Sequence, residues 1–375
     1  MKIGILTLPL HTNYGGVLQA FALQMVLRNM GYQSEVINFV YPFWPTLKQK
    51  IFKVISFLLG RKVIWGYAKK YPLKMAPAEI NIKLFINKYM SLSEGVRSYA
   101  KMKKIAKKYD AFIVGSDQVW RPKYAQYLDL FFLSFLNKAD SRKRIAYAAS
   151  LGTEQKEYSV KQRAECGKLI EHFHGVSVRE KDAVEILTKD YRWNVTPSVV
   201  LDPTLLLDMS VYKKIIDSYE FKKNRKGNIF YYFLDANEEK NELLKFVCSL
   251  KNGTPYTVYQ KEPNFFDAVI NPLPAVESWL QGFYSSDFIV TDSFHGCVFS
   301  IIFNKPFIVL GNKNRGISRF KTLLENFGLE NRILYSFDKT VTQSICADPI
   351  NWNYVNQQRI LLSKNSIDFL RKNLE

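Results

Sequence analysis

The sequence predicts an α/β protein made of two doubly wound domains. Short apolar segments of strand length alternate with amphipathic segments of helix length along most of the chain, a pattern typical of parallel sheets with helices on both faces. At 375 residues, the chain is too long for one ordinary domain and suits two domains of medium size. Hydrophobic residues make up 47% of the sequence, which is ample for two packed cores.

Residues 1–195 contain the predicted elements of the first domain. Residues 3–8 form an apolar segment of strand length, and residues 17–30 place apolar side chains along one stripe of a helix. Residues 34–40 predict a second strand. Three further strands are predicted at residues 111–114, 144–149 and 176–178, the last followed by a helix from Glu180.

The second domain is predicted for residues 196–350. It begins at the proline-bearing segment 196–203, after which a new set of strand and helix units starts. Its predicted strands are residues 228–234, 256–259, 288–291 and 307–310. Residues 351–375 carry apolar side chains at helical spacing and predict a closing C-terminal helix.

Residues 41–75 differ from the rest of the first domain and predict a basic, aromatic insertion. The segment has eight basic residues and no acidic residue, and the apolar positions Ile51, Val54, Ile55 and Leu58 follow the spacing of an amphipathic helix. Such a helix suits an anionic membrane surface. The alternative is an ordinary insertion whose apolar side covers the first sheet.

The net charge of the chain is +19, which indicates an anionic partner. Nucleic acid, an anionic membrane surface and a phosphorylated substrate all fit this charge. No helix-turn-helix, zinc-finger or RNA-recognition signature is present, so we expect no nucleic-acid partner.

The four cysteines are far apart in the sequence and form no CxxC pair, so we expect reduced thiols and no sequence-local zinc site. His172 and His174 have the spacing of a strand-borne metal pair but lack a nearby third ligand, and we expect no metal. The N-terminus has no cleavage site of the secretory type, and no run reaches the roughly 18 apolar residues of a spanning helix. These features predict a cytoplasmic protein, soluble or peripheral on the inner face of the membrane.

The most informative segment is residues 287–310, which read as strand, turn, helix and strand. It places Ser293, His295 and Gly296 at the carboxyl end of a strand and the start of a helix, where open α/β sheets bind ligands. Helix-start amides favour anions, and the imidazole of His295 suits proton transfer. The alternative is a histidine that only satisfies nearby backbone groups. Cys297 fits a nucleophile less well than a small buried core residue.

Two other predicted strands also end in polar turns. The first turn contains two glycines before a helix and suits an anion, although a tight turn alone explains them; its candidate residues are Asn13, Tyr14, Gly15 and Gly16. The second turn follows residues 111–114 and contains Ser116, Asp117 and Trp120. Asp117 suits the acceptance of a proton or the binding of a sugar hydroxyl, and Trp120 suits a sugar face. The alternative is a helix N-cap with Trp120 in the core.

Arg179 ends the predicted strand 176–178, where an unpaired guanidinium is costly to bury. It should face a cleft, where its planar fork suits a carboxylate or phosphate, or form a structural ion pair with Asp202 or Glu180. Three more cations follow the strand 307–310 and either complete a cationic pocket or belong to a solvated loop: Lys313, Arg315 and Arg319.

Together these segments resemble the polysaccharide pyruvyl transferase family over most of the chain. The resemblance is carried, in order, by NYGGVLQAFALQ, VGSDQVWRP, RIAYAASLG, VSVREKDAVEIL, VLDPTLLL and TDSFHGCVFSIIFNKPFIVL. It implies two Rossmann-like domains facing a cleft in a GT-B-like arrangement. It also implies transfer of a pyruvyl group from phosphoenolpyruvate, as donor substrate and without a cofactor, to sugar hydroxyls. The product is a pyruvate ketal on a cell-surface glycan or its lipid-linked precursor.

The resemblance also implies roles for individual residues. Arg179 matches a family arginine that binds phosphoenolpyruvate, and His295 matches the histidine expected to transfer a proton. Ser293 stands where the family often has arginine, so a cation for the donor must come from elsewhere, with Lys313, Arg315 or Arg319 as candidates. The alternative function is a GT-B-fold glycosyltransferase that uses a nucleotide sugar.

Overall fold

A computed structural model of the chain describes residues 1–39, 76–125, 127–220, 227–259, 272–311 and 316–375. In the range 76–125, side chains are described from residue 79 onward. The predicted insertion 41–75 and the candidate residues Lys313 and Arg315 lie outside the described residues.

The first domain is built on a six-stranded parallel sheet of order β2-β1-β3-β4-β5-β6. Its strands are β1 (Lys2–Leu6), β2 (Gln33–Val36), β3 (Ala111–Asp117), β4 (Lys143–Ala149), β5 (Gly175–Val178) and β6 (Ser198–Val199). The central strands are buried along nearly their whole length, which explains why they read as continuous apolar runs. The helices that accompany this sheet are α1 (Tyr14–Asn29), α2 (Ala76–Tyr89), α3 (Tyr99–Ala106), α4 (Val160–Ile170) and α5 (Lys181–Glu185).

The second domain has a five-stranded parallel sheet of order β11-β10-β9-β7-β8. Its strands are β7 (Ile229–Tyr232), β8 (Pro255–Tyr256), β9 (Phe288–Thr291), β10 (Phe307–Leu310) and β11 (Ile333–Leu334). Its helices are α6 (Met209–Asp217), α7 (Glu238–Leu250), α8 (Val276–Tyr284), α9 (Phe294–Ile302), α10 (Ser318–Phe327) and α11 (Lys339–Ala347). The strand predicted at 256–259 is only Pro255–Tyr256 in the structure, and Thr257 and Tyr259 beyond it line the interdomain cleft.

The first sheet continues past the predicted boundary at residue 195, since β6 still pairs with β5. The chain crosses to the second domain through a 3₁₀ turn, Pro203–Leu206. The closing helix α12 (Trp352–Leu374) then returns to the first sheet. There the Ser366 hydroxyl accepts a bond from the Leu201 amide at 3.0 Å, and Phe369 packs near Tyr147.

One hydrophobic core joins the two domains. Tyr14 of α1 stacks on Trp279 of α8 with ring centroids 5.6 Å apart, and its hydroxyl donates to the Pro274 carbonyl at 2.8 Å. The two sheets are therefore held with their carboxyl ends facing one another. Among the described helices, none has the length and apolarity needed to cross a bilayer.

Candidate active site in the interdomain cleft

A cavity of about 470 Å³ lies between the carboxyl ends of the two sheets. Strand order reverses between β1 and β3 in the first sheet and between β7 and β9 in the second, and such switch points open a crevice for ligands. The cavity lies at both of them. Six of the predicted site residues line it: Asn13, Gly15, Asp117, Ser293, His295 and Arg319.

The other predicted residues that the structure describes lie behind this lining. Tyr14 is buried in the interdomain core, and Ser116 is enclosed within the first domain. The Gly16 and Gly296 amides donate to the N-cap side chains Asn13 and Ser293, at 3.1 and 3.3 Å. The Gly16 and Gly296 amides, which were predicted to bind an anion, are therefore occupied by hydrogen bonds to N-cap side chains.

His295 occupies the first turn of α9, directly after β9. Its imidazole packs against Gly15 of α1, so closely that a Cβ at Gly15 would lie 2.0 Å from Nδ1 of His295. The Nε2 atom is buried, makes no hydrogen bond within the described residues, and lies 3.6 Å from Oδ2 of Asp202. Gly15, in the first turn of α1 in the first domain, therefore provides the space for an imidazole from the second domain.

Asp202 anchors a buried ionic cluster behind His295. Its Oδ2 accepts from Nη1 of Arg179 at 2.7 Å, and Nη2 of Arg179 donates to Oδ1 of Asp117 at 3.1 Å. Oδ1 of Asp202 accepts from the amide and hydroxyl of Thr204 at 3.1 and 2.6 Å. Arg179 thus forms the ion pair with Asp202 that the sequence left open, with Asp117 rather than Glu180 as the second partner.

The electrostatics of the cluster favour ionised carboxylates. Burial alone would raise the pKa of Asp202, but His295, Arg179 and the Thr204 hydroxyl outweigh burial and hold that pKa well below its usual range. Burial likewise opposes ionisation of Asp117, whereas Arg179, His295 and Arg319 lower its pKa. Asp117 and Asp202 are therefore ionised beside Arg179 at neutral pH, and Oδ2 of Asp202 also lies 3.6 Å from Nε2 of His295.

Arg319 is the described cation that reaches the cavity from α10. Burial and the positive charge of Arg179 lower its pKa to about 10, so it stays charged at neutral pH. The guanidinium carbons of Arg179 and Arg319 lie 4.5 and 5.4 Å from the ring centre of Phe294. The aromatic ring accommodates both cations through its negative face.

Contacts between the domains hold α10 in place beside the cavity. The Lys181 amide donates to the Thr322 hydroxyl at 3.1 Å, and the Lys181 ammonium pairs with Glu325 at 2.8 Å. Gly316 and Gly152 both have positive φ, and a Cβ on Gly316 would lie 1.8 Å from the Gly152 carbonyl oxygen. Glycine at this contact lets the backbones approach closely and sets the position of Arg319 near the cavity.

Asp117 is held by a hydrogen-bond network that sequence reasoning missed. Gln19 of α1 donates to the Thr7 hydroxyl at 3.0 Å and accepts from the Ser116 amide at 3.0 Å. The Thr7 hydroxyl in turn donates to the Ser116 carbonyl at 3.1 Å. Asp117 itself has φ of +72°, an uncommon conformation for a non-glycine residue that this network supports. Gln19 is a polar residue on an otherwise apolar stripe of α1, and this position in the sequence could have indicated a buried hydrogen-bonding role.

Trp120 does not face the cavity, so the structure supports the core interpretation of this residue over the sugar-stacking one. Its ring is fully buried and stacks on Phe132 at 5.0 Å, and its indole donates to the Phe131 carbonyl at 3.0 Å. The turn after β3 directs this side chain into the first-domain core. Cys297 is likewise buried, and burial raises its pKa well above the usual range, as the core interpretation expects. Within the described residues, no cluster of three or more His, Cys, Asp or Glu side chains could hold a metal ion.

Comparisons with known proteins agree with this architecture. A family model described as polysaccharide pyruvyl transferase matches residues 13–314. No curated protein sequence matches the chain. Among solved structures, UDP-GlcNAc 2-epimerase from Neisseria meningitidis, bound to UDP-GlcNAc, has a TM-score of 0.51 and 11% identity over 99% of this chain and 100% of that chain.

Two further structures are similar over nearly their whole length. UDP-N-acetylglucosamine 2-epimerase from Rickettsia bellii has a TM-score of 0.49 and 11% identity over 99% of this chain and 96% of that one. The glycotransferase of kitacinnamycin has a TM-score of 0.47 and 10% identity over 100% of this chain and 99% of that one. The epimerase from Neisseria meningitidis and the two parallel sheets confirm the predicted fold class, two Rossmann-like domains in a GT-B-like arrangement.

Proposed function

The chain belongs to the polysaccharide pyruvyl transferase family, and from this premise we propose that it transfers a pyruvyl group from phosphoenolpyruvate to hydroxyls of a sugar. The product is a pyruvate ketal on a cell-surface polysaccharide or its lipid-linked precursor. The observation that carries the proposal is the placement of His295, backed by Asp202 at 3.6 Å, beside Arg319 in one interdomain cavity.

The donor requires both positive charge and a proton donor. Phosphoenolpyruvate carries a carboxylate and a phosphate, and Arg319 supplies a guanidinium of the kind that binds such groups. A proton delivered to the methylene carbon of the donor creates a cationic centre at carbon 2. His295 is the group placed to supply that proton or to accept one from an attacking hydroxyl, and the Asp202 carboxylate lies 3.6 Å from its Nε2 atom.

The remaining steps balance without an external reagent. One sugar hydroxyl attacks carbon 2 and loses its proton, and the C–O bond to phosphate then breaks. A second hydroxyl of the same sugar attacks the same carbon, which closes the ketal ring. The two hydroxyl protons end on the new methyl group and on inorganic phosphate, and no oxidation or reduction occurs.

Arg179 supports this chemistry from behind the cavity lining. Both of its Nη groups bind carboxylates, so it orients Asp117 and Asp202 toward His295. Its Nε atom is buried and makes no hydrogen bond within the described residues. A direct bond between Arg179 and the donor, as the family resemblance implies, stays a prediction.

A glycosyltransferase that uses a nucleotide sugar is less consistent with the second domain. The epimerase of similar fold binds UDP-GlcNAc. Here, however, the Leu234 and Asp235 amides at the end of β7 already donate to the Asp292 carboxylate, at 2.7 and 3.2 Å. The next helix, α7, has two glutamates in its first turn, which disfavour a diphosphate there. These two amides are therefore occupied by a carboxylate of the chain itself and are not open to a nucleotide's phosphates.

We further propose that the enzyme works in the cytoplasm, peripheral on the inner face of the membrane, where a lipid-linked acceptor would be presented. The net charge of +19 favours an anionic donor and an anionic surface over a neutral partner.

Incubation with phosphoenolpyruvate and galactosides, free or lipid-linked, tests the proposed reaction. We expect release of inorganic phosphate and a gain in sugar mass of one pyruvate less one water. A parallel reaction offers a nucleotide sugar in place of phosphoenolpyruvate. Turnover of the nucleotide sugar with no response to phosphoenolpyruvate would contradict the proposal.

Replacing Gly15 with alanine is expected to lower transfer about a hundredfold, since small misplacements of a catalytic group have effects of this size. The new Cβ would lie 2.0 Å from Nδ1 of His295, so the imidazole must move. Gly16→Ala is the matched control, because its Cβ would lie no closer than 3.3 Å to a neighbour. Phosphate release by the two variants is the measurement, and equal rates would show that the position of His295 does not depend on Gly15.

A further inference from the structure

The geometry points to an acceptor-sugar subsite on the second-domain wall of the cavity, formed by Tyr232, Tyr259 and Thr257 over Trp279. This inference rests on the proposed function, since it concerns where the sugar lies during transfer. It moves the sugar-stacking role from Trp120, which is in the core, to a different domain.

The cavity has two parts that differ in chemistry. Its ionic part contains Asp117, His295 and Arg319. Its aromatic wall lies at the end of β7 and in the segment after β8, which contribute aromatic and neutral polar side chains. Tyr232 and Tyr259 stack with centroids 6.3 Å apart and planes at 20°. Trp279 packs edge-on against Tyr232 at 5.4 Å. An apolar surface of this kind suits the C–H face of a sugar ring, which is drawn to the negative face of aromatic rings.

The polar groups of the aromatic wall are neutral hydroxyls. The hydroxyl of Tyr259 lies near those of Tyr14 and Tyr232 and interacts with them electrostatically, and Tyr14 donates to the Pro274 carbonyl. Burial, as the largest cause, raises the pKa of each of these tyrosines, so none carries charge at neutral pH. Neutral donors and acceptors of fixed orientation match sugar hydroxyls, whereas phosphoenolpyruvate needs cations and would lie toward Arg319.

Tyr232 of the aromatic wall is connected to His295 through neighbouring strands. Tyr232 is the register partner of Thr291, and the Thr291 hydroxyl donates to the Tyr232 carbonyl at 2.7 Å. The turn that follows Thr291 leads directly into α9 and His295. A sugar held against Tyr232 and Tyr259 therefore shares one cavity with the imidazole of His295. Binding in this position orients the sugar hydroxyls for attack on the donor.

Substitution of Tyr259, which is partly exposed in the cavity, tests the subsite. Saturation-transfer NMR with methyl glycosides of galactose, glucose and mannose measures sugar binding without any turnover. We expect Tyr259→Ala to weaken the binding of the preferred glycoside, and to raise the KM for the acceptor, about tenfold. The KM for phosphoenolpyruvate should stay within about twofold, and Tyr259→Phe should have a smaller effect because the ring remains.

The control is Tyr335→Ala, which removes an exposed tyrosine of the same domain that does not line the cavity. Thermal melting of all variants shows whether the fold is retained. Equal sugar binding by Tyr259→Ala and the control would overturn the subsite, as would the absence of hexose binding by the unmodified protein. Sugar binding that depends on Tyr259 without phosphate release from phosphoenolpyruvate would support the subsite and contradict the proposed function. Pyruvyl transfer with an acceptor KM that Tyr259→Ala does not change would support the proposed function and contradict the subsite.

Discussion

Replacing His295 with alanine is expected to abolish measurable pyruvyl transfer while the fold remains intact. General acid–base catalysis contributes about 10²–10⁴-fold to a rate, and His295 is the described imidazole that lines the interdomain cavity. The fold should survive because Asp202 keeps its bonds to Arg179 and Thr204. His295→Gln, which keeps polarity and approximate size but cannot transfer the proton, should be as inactive as His295→Ala.

Phosphate release and sugar mass gain measure the effect, and thermal melting checks the fold. The matched control is His172→Ala, which removes a half-buried histidine outside the cavity and should leave the rate unchanged. If His295 and Asp202 act as a unit, the double variant His295→Ala with Asp202→Asn should be little slower than His295→Ala alone. Near-normal turnover by His295→Ala would remove the imidazole from the mechanism.

The sequence predicted those parts of the fold and site that depend on local patterns. β9 and β10 have the predicted bounds, because β-branched and aromatic residues fill both segments and polar turns bound them. The same local pattern placed His295 at a strand end, and the glycines of the first turn marked a close approach. What they approach, the imidazole itself, comes from the other domain and has no local signal.

Features set by tertiary contacts could not be predicted in this way. The partner of Arg179 depends on which carboxylates the register of neighbouring strands brings beside β5, so Asp202 was one option and Asp117 was not foreseen as a partner. Trp120 follows the end of β3, where Gly115 and Asp117 both have positive φ, and regular strand alternation does not predict side-chain direction beyond such a strand end. Amphipathic spacing predicted α12 but not the sheet it covers.

Replacing Arg179 with alanine is expected to lower the free energy of unfolding by about 3–5 kcal/mol, the usual cost of removing one partner from a buried ion pair. The Arg179 side chain is 2% exposed, and its carboxylate partners are 6% and 0% exposed, so water cannot replace the lost cation. Asp117 and Asp202 would both remain buried without it. The matched control is Arg371→Ala, which breaks an exposed ion pair with Asp368 and should have an effect below about 1 kcal/mol.

The pH dependence distinguishes loss of the ion pair from loss of packing. Arg179 helps to hold the pKa values of Asp117 and Asp202 below their usual range in the folded protein. Their contribution to stability is therefore present above the unfolded pKa of about 3.9 and is lost as pH falls toward the folded values. In Arg179→Ala the buried carboxyls protonate more easily, so the stability difference from the unmodified protein should narrow as pH falls from neutral toward the lowered pKa values of Asp117 and Asp202. Denaturant unfolding across this pH range, with phosphoenolpyruvate affinity measured in parallel, decides the role of Arg179. A stability difference that does not change with pH would indicate that Arg179 contributes packing alone. A large loss of donor affinity with unchanged stability would make Arg179 a direct ligand of the donor.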